Sequence, residues 1–131
     1  MLQRIQSIYL TIAFIAMAFL SFRVPIYTLD DMLIRAQDDT KMFILTLLSS
    51  LLALVGLFIY RNRKIQMKLI RLAVIINMII GVRLFVVWKA FQVTLNINGL
   101  LIVFLATVAL ILAYKGVKKD DNLVRSVDRI R

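Results

Sequence analysis

Four long runs of apolar residues, separated by short segments rich in charged residues, dominate the pattern of this chain. The runs are continuous and do not alternate apolar with polar positions, which is typical of helices and not of half-buried strands. A helix that crosses the hydrocarbon core of a bilayer needs about 20 residues and satisfies its own backbone hydrogen bonds. The pattern therefore predicts one four-span membrane domain, residues 1–131, with spans at about 5–22, 42–60, 69–89 and 99–114 and a tail at 115–131.

The first run also has a feature of a signal peptide, because Ala16 and Ala18 form a cleavage-like site of small residues. The apolar run continues past this site through Phe19 and Phe22, which is a poor context for cleavage. We therefore interpret residues 5–22 as a span.

Basic residues concentrate on one predicted side of the membrane. Of the 17 Lys and Arg residues, twelve belong to the N-terminus, the loop at 61–71 and the tail, and four belong to the opposite loops. An excess of Lys and Arg marks cytoplasmic loops. We predict a multi-pass protein of the bacterial inner (cytoplasmic) membrane with cytoplasmic N- and C-termini. Since the basic residues border apolar runs, they favour anionic lipid headgroups on the cytoplasmic side as partners, and no nucleic acid.

Small residues recur at helical spacing in every run and predict the faces on which the helices meet, because lipid offers no hydrophobic drive for association. In the third run this face holds Ala73, Asn77 and Gly81, and Arg83 lies about 120° away from it on a helical wheel. The corresponding residues of the other runs are Ser7, Thr11, Ala18 and Ser21 in the first, Thr46, Ser49, Ala53 and Gly56 in the second, and Ala106, Ala109, Ala113 and Gly116 in the fourth.

Two polar residues lie inside the third run. Asn77 is an intramembrane polar residue that we expect to hydrogen-bond across the bundle. Arg83 lies roughly 9 Å inward of Lys89 at 1.5 Å per residue, and no acid occurs in any predicted span to pair with it. Its side chain can reach outer headgroups, pair with a carboxylate of another subunit or with a lipid phosphate, or act in transport.

The loop at 23–41 is acidic, and Pro25 prevents the first helix from continuing into it. Asp38, Asp39 or Thr40 can cap the second helix, and residues 32–34 predict one turn on the membrane surface. Paired acids can hold a divalent ion, but the spacing of a calcium-binding loop and its closing Glu are missing. We therefore predict no metal site, and the order of this loop stays open.

The tail pattern predicts a short amphipathic helix. Asp120 and Asp121 occupy positions typical of helix N-caps, and apolar residues recur after them at i, i+4 and i+7. Pairs at helical spacing join Asp121 with Arg125 and Asp128 with Arg131. This helix either lies on the lipid surface or docks a protein partner. Together with Arg83, the predicted partner or lipid contacts are Asp120, Asp121, Leu123, Arg125, Val127, Asp128, Arg129 and Ile130.

These patterns predict an all-α fold, an integral membrane four-helix bundle with a short cytoplasmic C-terminal amphipathic helix.

The composition limits the reactions that this protein can catalyse. The sequence contains no Cys and no His, and all seven acids are Asp. Thiol catalysis, histidine-ligated haem and the usual zinc sites are therefore excluded. We predict no catalytic residue, no cofactor and no enzymatic activity.

Both ends of the chain resemble a known family. The opening segment Met1–Leu10 and the closing segment 118–131 resemble the ends of an uncharacterised family of small four-helix inner-membrane proteins of Bacteroidetes, classed as a domain of unknown function. The resemblance implies a fold and a location, without an activity. Many members of that family have a longer first external loop.

Two functions follow as hypotheses. The first is a non-catalytic accessory or scaffold subunit of an inner-membrane protein complex, which docks through the C-terminal helix to a membrane-protein partner or to a second copy. The alternative is a small-molecule or lipid transporter of the four-helix type. Small exporters of that outline rely on a membrane-embedded Glu, and this chain has no Glu.

Overall fold

The computed structural model describes residues 2–130, with side chains from Ile5 to Ile130. The side chain of Arg4 and the predicted pair of Asp128 with Arg131 lie outside this range. The elements in chain order are α1 (Leu2–Phe22), β1 (Pro25–Leu29), β2 (Met32–Arg35), α2 (Thr40–Phe58), α3 (Arg63–Phe91), β3 (Thr94–Leu95) and α4 (Ile97–Asp128).

The four helices form a closed antiparallel bundle. Each helix packs against the next one along the chain, and α1 also packs along α4. The strands lie at one end of the bundle, which we call the sheet end. The start of α1, the connection between α2 and α3, and the end of α4 lie at the other, which we call the tail end. The predicted loop at 61–71 is wrong in extent, because residues 63–71 are the first turns of α3. The segment at 61–71 and the tail carry most of the counted basic residues and share the tail end.

All four helices are long and apolar enough to cross a membrane, which fits a multi-pass membrane protein. The outer surface of the bundle is correspondingly apolar. Large side chains such as Ile15, Val82 and Phe104 are more than half exposed. A soluble monomer rarely exposes so continuous an apolar surface. The predicted four-helix architecture is therefore confirmed.

The contact faces of α2 and α4 agree with their small-residue lines, because Thr46, Ser49, Ala53, Ala106 and Ala113 are all fully buried or nearly so. The expected face of α1 is wrong except at Ser21, because Thr11 is exposed and Ser7 and Ala18 are only partly buried. Its buried residues are instead Gln6, Leu10, Ala13, Met17, Leu20 and Ser21.

The buried face of α3 is also turned from the expected line. Ala73 and Asn77 are buried, but Gly81 is exposed, and a Cβ atom added to it would meet nothing within 4 Å. The buried stripe instead continues through Ile80 and Leu84. This rotation brings Arg83 to the border of the contact between α2 and α3.

The expectation of a purely helical fold is incomplete, because the loop at 23–41 contains two strands. A three-stranded antiparallel sheet of order β2-β1-β3 covers the sheet end. Asp30 and Asp31 form the two-residue turn between β1 and β2, both with positive φ, as this kind of hairpin requires. The predicted surface turn at 32–34 is therefore strand β2. Ile26 and Val93 from this region are buried and close the core at this end.

The prediction of a separate helix in the tail is also wrong. Helix α4 continues without a break from Ile97 to Asp128, with Asn96 as its N-cap. Asp120 and Asp121 are therefore interior residues of α4 and do not cap a new helix. At 32 residues and 1.5 Å per residue, α4 is about 48 Å long, well beyond the roughly 30 Å of a hydrocarbon core.

Candidate functional site

An ion pair joins two helices near the sheet end of the bundle. Nη2 of Arg83, on α3, lies 2.6 Å from Oδ2 and 2.9 Å from Oδ1 of Asp39, which precedes α2. The two side chains are only 28% and 15% exposed. A short contact between an ionised donor and an ionised acceptor in such shelter is stronger than an exposed surface pair.

Asp39 also caps α2. Its Oδ1 accepts hydrogen bonds from the backbone N–H groups of Lys41 and Met42. Burial on its own would raise the pKa of Asp39, but the hydrogen bond from Arg83 and those from the backbone together hold it below its usual value. The carboxyl group is therefore ionised at neutral pH, and it serves as an acceptor only.

Tyr27 links this ion pair to the sheet. Its hydroxyl donates to Oδ2 of Asp39 at 3.4 Å, from a side chain that is 8% exposed. Burial and then the negative charge of Asp39 raise the pKa of the Tyr27 hydroxyl, so that it stays protonated. The three residues join β1, the start of α2 and the body of α3. We call them the Arg83 network.

The network shows which residue pairs with Arg83. No acid lies inside a predicted span, but Asp39 lies just before the second one. Helix α3 continues eight residues past Arg83 to Phe91, so Arg83 is level with the start of α2. Arg83 therefore has a partner within its own chain, and an additional contact with another subunit or with lipid stays a prediction.

A polar layer crosses the bundle at Asn77, which is 2% exposed. The Ser49 hydroxyl donates to Oδ1 of Asn77 at 2.6 Å, and Nδ2 of Asn77 donates to the Thr107 hydroxyl at 3.3 Å. Thr107 in turn donates to the backbone carbonyl of Val103. The prediction that Asn77 hydrogen-bonds across the bundle is confirmed, and the layer joins α2, α3 and α4.

Replacement of Asn77 by Leu is expected to lower the free energy of unfolding by about 1 kcal/mol, the usual size of such a contact between membrane helices. The effect stays modest because Thr107 keeps its bond to the Val103 carbonyl. Thermal unfolding of the purified protein in mild detergent measures it. Asn122→Leu, at an exposed position of α4, is the control, and an equal effect of the two would mean that the layer contributes no stability.

The C-terminal arm, residues 115–130, is the last part of α4 at the tail end. Its first residues still pack in the bundle, where Val117 is fully buried, and the part from Asn122 onward projects beyond it. Every described residue from Asn122 to Ile130 is exposed. At 1.5 Å per residue, the projecting helical part from Asn122 to Asp128 is about 10 Å long. Near its base, Nε of Arg63 lies 2.9 Å from Oδ2 of Asp120, which ties the arm to the start of α3. The arm is thus a projecting helix with an anchored base.

The structure separates the predicted contact residues into two groups. Arg83 lies near the sheet end, and all the others lie on the arm at the tail end. Asp121 and Arg125 form the predicted pair along the helix, at 3.0 Å. The apolar members are exposed by 47% at Leu123, 59% at Val127 and 87% at Ile130. Asp128 and Arg129 are also exposed.

Sequence reasoning missed Asp39 and Tyr27 as members of the Arg83 network. Asp39 was identified only as one of three candidate caps, and Tyr27 was not singled out. No local pattern connects either residue with Arg83, which follows Asp39 by 44 positions. The one available signal was topological, because the start of α2 and the end of α3 must lie at the same end of an antiparallel bundle.

The Arg83 network positions three groups from different elements. The Arg83 network holds an ionised carboxylate, a guanidinium and a neutral phenol against one another. A general acid or base near neutral pH needs a pKa close to that pH, whereas the pKa of Asp39 is lowered and that of Tyr27 is raised. Within residues 2–130, no three acids, His or Cys converge as metal ligands.

Comparisons with known proteins give the family and no activity. A search of curated proteins and a search of solved structures found no match to this chain. A family model does match, over residues 2–130. The chain therefore belongs to the family described as domain of unknown function DUF4293.

Proposed function

We propose that this protein is a non-catalytic accessory or scaffold subunit of an inner-membrane protein complex that docks through its C-terminal arm. The observation that carries the proposal is the arm itself. It is a projecting helix with an anchored base, and its apolar residues Leu123, Val127 and Ile130 are not covered by any described part of the chain. An uncovered apolar stripe on a helix is a common recognition surface for a groove in another protein.

The continuity of α4 favours a protein partner over the lipid surface. A helix that lies in the headgroup plane has to turn away from the direction of the span that precedes it. Helix α4 has no break between Ile97 and Asp128, so it carries the arm away from the bilayer. The acids Asp121 and Asp128 also offset the positive charge that an anionic surface attracts.

The orientation in this proposal rests on charge. The tail end carries the basic residues of the segment at 61–71 and of the tail, and cytoplasmic segments are enriched in Lys and Arg. We therefore place both termini and the arm in the cytoplasm and the sheet on the opposite side. The location in the bacterial inner membrane belongs to the same proposal. A reporter fused to the C-terminus that reads as external would contradict it.

The hydrogen bonds of the buried polar residues support the non-catalytic part of the proposal. Asn77 is bonded to Ser49 and Thr107 inside the bundle. Asp39 is bonded to Arg83 and to the first turn of α2. These groups hold helices together, and their hydrogen bonds are made within the chain.

Removal of the apolar stripe is expected to abolish partner binding and to leave the four spans inserted. The test variant carries Leu123→Ser, Val127→Ser and Ile130→Ser. The control carries Lys118→Ser and Asn122→Ser, at exposed positions toward the other side of the arm. The full-length protein is purified in mild detergent, and a co-purifying partner is quantified by mass spectrometry. We expect at least a tenfold loss for the stripe variant and no loss for the control.

Two results would contradict the proposal. The first is a full-length protein that runs as a lone monomer or homodimer with no stoichiometric partner. The second is equal partner recovery from the stripe variant and the control variant. Resistance of both variants to alkaline extraction from membranes shows that insertion is intact, which separates lost docking from lost folding.

A further inference from the structure

A groove of about 530 Å³ runs between α2 and α3 near the sheet end, on the outer surface of the bundle. We propose that it binds one glycerophospholipid, whose phosphate lies against Lys41 and Arg83 and whose acyl chain follows the apolar walls. The inference rests on the proposed membrane location and is independent of the arm. We call it the α2–α3 groove. Its lining residues are Lys41, Ile44, Leu45, Ile79, Val82, Arg83, Val86 and Val87.

The walls of the α2–α3 groove fit a hydrocarbon chain. All six lining residues other than Lys41 and Arg83 are aliphatic. On α3 the groove extends from Ile79 to Val87, about 12 Å along the helix axis, and Arg83 lies midway along it. From Arg83 to Ile79 the apolar wall extends about 6 Å toward the tail end, which fits the first methylene groups of an acyl chain. A compact anion would leave most of the apolar wall uncovered.

The two cations lie where a phosphate of the same lipid would be. Lys41 is in the first turn of α2, and its exposed side chain forms no ion pair with any described residue. Among the groove lining and the groups bonded directly to it, Lys41 and Arg83 carry two positive charges, and Asp39 offsets one of them. The remaining charge of one unit complements the single negative charge of a phosphodiester.

Arg83 has donors left for such a ligand. Its Nη2 makes both hydrogen bonds to Asp39. Its Nε has no hydrogen-bond partner but is buried, out of reach of a ligand on the outer surface. The donor group left for a phosphate is Nη1, which makes no hydrogen bond with a described residue. A guanidinium group offers five N–H donors, so the ion pair with Asp39 leaves part of this capacity unused. The groove therefore combines apolar walls with a pair of cations, the two features that recognise a phospholipid.

The probe is dioleoylphosphatidylglycerol, titrated into the detergent-solubilised full-length protein and followed by native mass spectrometry. We expect one retained lipid per chain in the wild type. Lys41→Gln is expected to weaken retention about fivefold, the usual effect of one cation on an anionic headgroup. Val82→Trp is expected to weaken it by at least as much, because the larger side chain fills the groove. Val82 is 63% exposed, so this change does not disturb the core.

Arg23→Gln is the matched control, because Arg23 is an exposed cation at the same end of the bundle. We expect it to retain lipid as the wild type does, and we expect millimolar inorganic phosphate not to displace the lipid. Dioleoylglycerol, which lacks the phosphate, should be retained poorly.

Equal weakening by Arg23→Gln and Lys41→Gln would overturn the site, since it would mean unspecific attraction to the sheet end. Displacement by inorganic phosphate, together with normal retention by Val82→Trp, would also overturn it in favour of a simple anion site. The stripe variant of the arm should retain lipid like the wild type, so a failed docking experiment and a failed lipid experiment remain distinguishable.

Discussion

Replacement of Arg83 by Ala is expected to lower the free energy of unfolding by about 2 kcal/mol, a value between those of exposed and fully buried ion pairs. The change leaves the Asp39 carboxylate in a partly buried position without its cation, and Asp39 is only 15% exposed. Arg83→Lys is expected to lose less, because a Lys keeps the charge but offers a different geometry. Thermal unfolding in mild detergent measures both variants.

A double-mutant cycle with Asp39→Asn isolates the ion pair. Asn is as good an N-cap as Asp, so this change removes the charge and preserves the cap of α2. We expect a coupling energy of about 1 to 2 kcal/mol between positions 39 and 83. Arg23→Ala, an exposed Arg at the same end, is the control. If Arg83→Ala were no more destabilising than Arg23→Ala, the guanidinium would be an unpaired, snorkelling group and the network would not exist.

Replacement of Gly99 by Val is expected to destabilise the protein by about 2 kcal/mol or more, since overfilling a packed site costs on this scale. A Cβ atom at Gly99 would lie 3.1 Å from the carbonyl oxygen of Pro25 and 3.3 Å from Cα of Ile26. Both atoms belong to the backbone of β1. That backbone is held in place, because the carbonyl of Ile26 accepts a hydrogen bond from the N–H of Asn96 at 2.9 Å. The sheet therefore has to move away from α4.

Gly81→Val is the matched control for this prediction, since a Cβ atom there meets nothing within 4 Å. Val has a slightly better helix propensity than Gly, so this variant should be neutral or slightly stabilising. Thermal unfolding of the two variants is compared under the same conditions. Equal unfolding temperatures would show that β1 is not packed tightly on the start of α4.

The success of the contact-face predictions differs between helices for a physical reason. In α2 and α4 the small residues lie on one line and are buried together, apart from Gly116, which is only partly buried. In α1 the polar residue Thr11 satisfies its hydroxyl within the helix, by donating to the carbonyl of Ser7 at 2.8 Å. It can therefore face outward at little cost. The buried face of α1 consists instead of Leu10, Ala13 and Met17. The outward-facing residues of α1 are also apolar, so the hydrophobic pattern does not distinguish the two faces.

Sequence patterns also predicted some features of the functional residues and missed others. The arm was predicted as a helical contact surface, because its apolar stripe and its pair of Asp121 with Arg125 are local patterns. Its continuity with α4 was not predicted, since Asp120 resembles a cap in sequence. In the structure Asp120 pairs with Arg63 across the bundle. Capping residues identified by type alone can thus serve as ion-pair partners when a distant cation comes close.

The sequence by itself determined the four helices, their apolar length and the uneven distribution of basic residues. These are properties of continuous segments, and each can be read without knowing its neighbours. Only the tertiary structure decided how far α3 extends past the start of α2, how each helix is rotated, and that the loop at 23–41 pairs with β3. Those choices place Arg83 beside Asp39 and Tyr27. They depend on contacts between segments far apart in the chain, and in a bundle with an apolar surface as well as an apolar core, hydrophobicity alone does not select them.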